Sequence, residues 1–164
     1  MKIWWQRHGF AGPRSGKPKK DDARPLVAEG QKAVAAIADR MDDMAEWPLV
    51  VYASPLPRAR MTAQIMSDAL GAGNVQVIPQ LARDQDILDW FRSVILKGRV
   101  KRALIVGHSD NIPPALADLN GGKLADVDAF VMGEVRRLKM DPESGRWVER
   151  YRIQPADAGF TNRL

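Results

Sequence analysis

The sequence predicts an α/β sandwich, a mainly parallel central sheet with helices on both faces, as one domain over residues 1–164. Short apolar runs alternate with longer stretches of three-and-four hydrophobic spacing. Leu49–Ala53 and Ala103–Gly107 are apolar throughout, as strands buried on both faces are. At 164 residues the chain is long enough for one proper core and short for two. It contains no repeat, linker or low-complexity tract.

The first strand is Ile3-Trp4-Trp5-Gln6, which stops at Arg7-His8-Gly9. Phe10 to Arg24 reads as a polar loop, because Gly12-Pro13, Ser15-Gly16 and Lys17-Pro18 are turn-forming pairs. Val34, Ile37, Ala38, Met41 and Met44 form the apolar stripe of a helix from about Val27 to Ala45, and Pro48 stops it. Leu49–Ala53 ends in Ser54-Pro55-Leu56-Pro57-Arg58, whose prolines fit the entry to a helix that runs to Leu70 and ends at Gly71. Val75–Ile78 is a short strand, and Ile87–Lys97 a helix with Ile87, Leu88, Phe91, Val94 and Ile95 on one face. Ala103–Gly107 then leads into His108, and a helix follows Asn111 to about Leu119. Ala129–Met140 and Arg146–Ile153 are strand-like, with a hairpin turn at Asp141-Pro142-Glu143-Ser144-Gly145. Residues 154–164 read as a loose tail.

With no cysteine, disulfides, thiolate nucleophiles and cysteine metal sites are excluded. No signal-peptide pattern is present and no run reaches the ~20 apolar residues of a bilayer span, so the expected location is cytoplasmic. The net charge is +5, and Arg14, Lys17, Lys19, Lys20 and Arg24 crowd one segment. That segment is either a solvated loop or a positive rim for an anionic partner. It lacks the interleaved aromatics of a nucleic-acid platform, so neither nucleic acid nor membrane is an expected partner.

The two histidines of the chain each follow an apolar strand directly. Carboxyl ends of parallel strands share one edge of the sheet, so the imidazoles can converge there. Arg7 stands beside His8, and Arg58 follows a third strand end. A guanidinium matches phosphate oxygens in pairs, and helix starts add N–H groups. Such a pocket suits a dianionic phosphoryl group, and an imidazole in line with phosphorus can take it as phosphohistidine. Two histidines beside two arginines make a poor cation site, and no metal or other cofactor is expected.

Arg7-His8-Gly9, then Ser54-Pro55-Leu56-Pro57-Arg58-Ala59 with Thr62, then Gly107-His108, resembles the histidine phosphatase superfamily, or phosphoglycerate-mutase-like fold. Arg24-Pro25-Leu26 and Glu29-Gly30 match a further family feature, and the resemblance runs from residue 2 to about 153. It implies that His8 is the phosphorylated nucleophile. Arg7, Arg58 and His108 would form the phosphate pocket, with Gly9 and Ser109 joining the substrate-binding set. The short length without an inserted lid is similar to SixA-type phosphohistidine phosphatases. Phe10 stands where many members carry an acid. Asp86, with Asp84 as the alternative, is the candidate proton donor to the leaving group; both also suit loop or helix-cap positions. The expected activity is dephosphorylation of phosphohistidine in a signalling protein. The alternatives are a phosphomonoesterase on a small metabolite and a phosphate-binding or partner-docking module without catalysis. The oligomeric state is not read from the sequence.

Overall fold

A computed structural model describes residues 1–45 and 47–161. Six strands form one sheet: β1 (Lys2–Arg7), β2 (Val50–Ala53), β3 (Val75–Val77), β4 (Arg102–Gly107), β5 (Val135–Met140) and β6 (Trp147–Ile153). Their spatial order is β3-β2-β4-β1-β5-β6. The first four run parallel, while β5 lies antiparallel to β1 and β6 antiparallel to β5. The predicted class is therefore observed, with the hairpin completing one side of the sheet.

The α-helices among the described residues are α1 (Pro18–Asp22), α2 (Ala28–Asp42), α3 (Pro57–Leu70), α4 (Leu88–Trp90, continued by a π-helical stretch Phe91–Leu96) and α5 (Ile112–Leu119). Side chains alternate across a strand, so neighbouring tryptophans in β1 go to opposite cores. Trp4 joins Leu104, Val106 and Val51 beneath Val34, Ile37 and Met41 of α2 and Ala63 and Met66 of α3. Trp5 joins Ile105 and Tyr52 against Phe91, Ile95 and Ile112 on the other face. Both tryptophans are fully buried, and the Trp5 and Phe91 rings stack with centroids 5.3 Å apart.

Three local expectations are corrected. The loop from Phe10 to Arg24 contains a helix, α1. Five residues carry too little hydrophobic periodicity to announce one, and Asp21, within the helix, ties it to the preceding turn by accepting the Ser15 and Gly16 N–H groups. Residues 129–134 are not strand but a turn that precedes β5. The expected loose tail begins instead with a 3₁₀ turn, Pro155–Ala158, in which Pro155 is buried; residues 162–164 of it lie outside the described residues. Among the described residues no helix is long and apolar enough to cross a membrane.

Gly30 explains why the chain after His8 can lie flat on α2. A Cβ there would stand 2.1 Å from the Phe10 carbonyl oxygen, and one at Gly9 would stand 2.7 Å from Val34 Cγ2. Gly30→Ala must therefore push the segment after His8 off the helix. A loss of about 1–3 kcal/mol in urea unfolding is expected, as for overpacked cores. A variant with the wild-type midpoint would contradict this close approach.

Candidate active site

Strand register sets the site. In the parallel pair of β1 and β4, Arg7 stands opposite Gly107, and the His8 N–H donates to the Gly107 carbonyl at 3.0 Å. His8 and His108 therefore leave the sheet together, with ring centroids 5.1 Å apart. On the other side of β4, Ala53 pairs with Val106, and the Ser54 N–H donates to the Val106 carbonyl at 3.0 Å. That sets Ser54 beside His108, whose Nε2 lies 2.8 Å from Ser54 Oγ.

Arg58 comes from the first turn of α3, behind Pro57, and is almost wholly buried. Its Nε–H donates to His8 Nε2 at 3.1 Å, and one Nη1 donates to the carbonyls of Asp21 and Asp22 at 3.0 and 3.3 Å. The other imidazole nitrogen of His8, Nδ1, lies 2.7 Å from the Gly9 carbonyl. A carbonyl only accepts and a guanidinium only donates, so both partners assign the same tautomer: Nδ1 carries the proton and Nε2 keeps its lone pair. Thr62 locks the turn. Its Oγ1 accepts the Gly9 N–H at 3.0 Å and donates to the Arg58 carbonyl at 2.7 Å.

Burial, aided by the positive charges of Arg58, Arg7 and Arg24, pulls His8 down to about 3 against an opposing push from the Gly9 carbonyl. Burial likewise pulls His108 down to about 2, helped by His8, Arg58, Arg83 and Arg7. Burial, then Arg24 and Arg83, lowers Arg58 to about 10, so it stays cationic at neutral pH. The site thus holds two neutral imidazoles among permanent cations. At the site, the buried nitrogens Arg7 Nε and His108 Nδ1 have no hydrogen-bond partner among the described residues. A bound tetrahedral anion would satisfy both donors and offset the positive field. No group of three metal-ligating side chains is gathered among the described residues.

The remaining predicted residues divide. Arg7 is held by the turn before β5: its Nη1 donates to the Phe130 carbonyl at 2.6 Å, while Arg136 stacks over the Phe130 ring at 3.9 Å. Gly9 lies under His8, and Ser109 sits in the turn ahead of α5. Asp86 is not brought to His8. It is exposed and accepts the Leu88 N–H at 2.8 Å, the helix-cap role. Asp84 is exposed too, with a left-handed backbone (φ 59°), and lies 4.0 Å from Arg83. Asp86 is thus engaged at the start of α4, and both carboxylates line a cavity they share with Asp110.

In the basic segment Arg14, Lys17, Lys19 and Lys20 stay exposed, whereas Arg24 is half-buried. Arg24 donates to the Ala11 carbonyl at 3.2 Å and to the Gly12 carbonyl, which folds residues 11–24 over Arg58. Beside it lies a cavity of about 430 Å³ lined by Arg14, Pro18, Asp22, Leu56 and Arg83. Sequence reasoning missed three contributors: Ser54, the turn at Phe130, and Arg83, which bridges Asp22 at 3.5 Å and Asp110 at 3.1 Å. Ser54 stands inside the motif around Arg58 and could have been found there; the other two carry no local signal.

A model of the histidine phosphatase superfamily (branch 1) matches residues 3–90. An uncharacterized protein of Picosynechococcus sp. is 33% identical over 82 residues, and the match spans about half of each chain, 50% of this one and 49% of the other. A solved structure of the protein histidine phosphatase SixA complexed with tungstate superposes with a TM-score of 0.80 at 22% identity, covering 96% of this chain and 99% of that one. A mycobacterial glucosyl-3-phosphoglycerate phosphatase with VO3 superposes with a TM-score of 0.71 at 16% identity, covering 92% and 97%. At these identities the likeness is one of fold.

The buried neutral imidazoles have a measurable consequence. Their folded pKa values lie below the unfolded value near 6.5, so each contributes stability that is complete above pH 6.5 and declines as pH falls toward about 3 for His8 and about 2 for His108. In phosphate-free buffer, His8→Asn should reduce the loss of unfolding free energy between pH 6.5 and 5 by about 1.6 kcal/mol in all. Urea titrations across that range check it, and equal slopes in both proteins would contradict a buried neutral His8.

Proposed function

Since the chain belongs to the histidine phosphatase superfamily, we propose that it is a phosphatase working through phosphorylated His8, and that its substrate is a phosphohistidine in a signalling protein. The observation that carries this is the state of His8: a neutral ring with Nδ1–H anchored on Gly9 and the Nε2 lone pair directed at Arg58. A nucleophile needs that free pair, and the phosphoryl group needs the cations around it.

In this reading the dianion enters between Arg58, Arg7 and His108. It takes the Arg58 Nε–H that now rests on His8, and it accepts from Arg7 Nε, which has no partner among the described residues. Ser54 Oγ accepts the Leu56 N–H at 3.3 Å, and by giving its own proton to His108 Nε2 it makes His108 Nδ1 a third donor. His8 Nε2 attacks phosphorus and the bond to the leaving group breaks with its electron pair. Water then attacks the phosphorus of phosphohistidine. His8 departs with its lone pair restored, and the water proton passes to solvent. The pocket stabilises the spread of charge over the equatorial oxygens, where positioning and electrostatics do most of the catalysis.

The preference for phosphohistidine rests on the leaving group. An alkoxide needs a proton donor, and neither Asp84 nor Asp86 is directed at His8. An imidazole, with its pKa near 6.5, leaves with far less help. Tungstate in the SixA structure is a tetrahedral oxyanion, the shape this donor set fits. The ester reading draws on the fold likeness to a sugar-phosphoglycerate phosphatase.

His8→Ala should abolish turnover of p-nitrophenyl phosphate, and the wild-type protein should form an acid-labile, base-stable phosphoryl adduct on His8. Retained turnover would end the mechanism. A parallel assay of a phosphohistidine peptide and a panel of phosphate esters tests the substrate. Higher kcat/KM for the peptide is expected, and preference for the esters would move the assignment to a metabolite phosphatase.

A further inference from the structure

We propose that Asp110 selects a phosphoramidate over a phosphate ester by accepting the ring N–H of the leaving imidazole, with Arg83 as its clamp. The proposal rests on the phosphohistidine reading above and deepens it.

Asp110 stands two residues beyond His108, on the turn that opens α5. Its two oxygens are in different situations. Oδ2 accepts the Arg83 Nε–H at 3.1 Å, whereas Oδ1 is buried and has no hydrogen-bond partner among the described residues. A buried carboxylate oxygen left without a donor is costly, and a ligand N–H is the kind of group that relieves it. The carboxylate lies near enough to the phosphate pocket for its charge to act on Arg7. The charged groups facing it are Arg83 from the segment after β3 and Arg7 from β1, with neutral His108 on its own turn. Asp22 of α1 and Asp84 share Arg83 with it, at 3.5 and 4.0 Å.

Arg83 occupies Oδ2, which leaves Oδ1 as the oxygen that can accept a further hydrogen bond. A phosphoimidazole breaks its P–N bond readily when the other ring nitrogen is protonated, since the electron pair then returns to a ring that leaves neutral with its N–H in place. An anion opposite that N–H favours the protonated, reactive ring. The same anion opposes an ester, whose leaving oxygen gains negative charge. Beside Asp110 a cavity of about 550 Å³, lined by Ile87, Leu88, Pro114 and Ala115 and also by the carboxylates of Asp84, Asp86 and Asp118, has room for a cationic imidazole ring and the chain that bears it.

The test compares Asp110→Asn and Asp110→Ser with the wild type on a phosphohistidine peptide and on p-nitrophenyl phosphate. Each variant should lose about tenfold in kcat/KM on the peptide at pH 7.5, and the alkaline limb of its kcat profile should move about one unit toward acid. On p-nitrophenyl phosphate the variants should be faster, because an anion beside the departing phenolate is gone. Equal losses on both substrates, an unmoved alkaline limb, or an unchanged peptide rate would overturn the role of Asp110 while leaving phosphohistidine as substrate. A wild-type protein inactive on the peptide but active on esters would instead overturn the substrate reading, and this one with it.

Discussion

The parallel pairing of β1 with β4 is the constraint on which the rest depends. Because Arg7 stands opposite Gly107, both strands end level, and the residues that follow are the two imidazoles. Strand side chains alternate faces, so a slip of one residue would exchange the two cores, sending Trp4 and Trp5 to the wrong sides. Register is therefore enforced by a large buried area, far from the chemistry it positions. The ladder also extends to β2, whose end brings Ser54 and then Arg58 to the same edge.

Upon that edge the protein concentrates positive charge and withholds water. Arg58 is shared among His8, Asp21 and Asp22, and Arg24 ties residues 11–24 across it. Cations buried this way are tolerable because backbone carbonyls accept from them, which neutralises little charge but satisfies the donors. What remains is a field that a dianion can discharge, and two imidazoles that cannot easily be protonated within it. The electrostatics that make this buried charge costly are the ones that would favour a dianionic phosphoryl group there.

The other carboxylates of the region show how position overrides residue type. Asp86 caps α4, Asp21 folds the turn at Ser15, and Asp22 and Asp84 attend Arg83. Asp22 and Asp110 each keep a buried oxygen without a hydrogen-bond partner among the described residues, and of the two Asp110 follows His108 on the turn that opens α5. Counting acids near a motif could not rank them, since the distinction lies in which local N–H groups each must satisfy first.

By itself the sequence determined the layered α/β class and the strand ends bearing His8, His108 and Arg58, because buried strands are written as continuous apolar runs and chemistry sits directly after them. The glycines at 9 and 30 were legible as family features, though their reason, the approach of Phe10 to α2, was not. Only the tertiary structure decided the tautomer of His8, the anchoring of Arg7 by Phe130 and the folding of residues 11–24 over Arg58. Each of these depends on a hydrogen bond or charge contact between segments far apart in the chain. Local periodicity records which face a residue presents, and carries no information about the partner that meets it there.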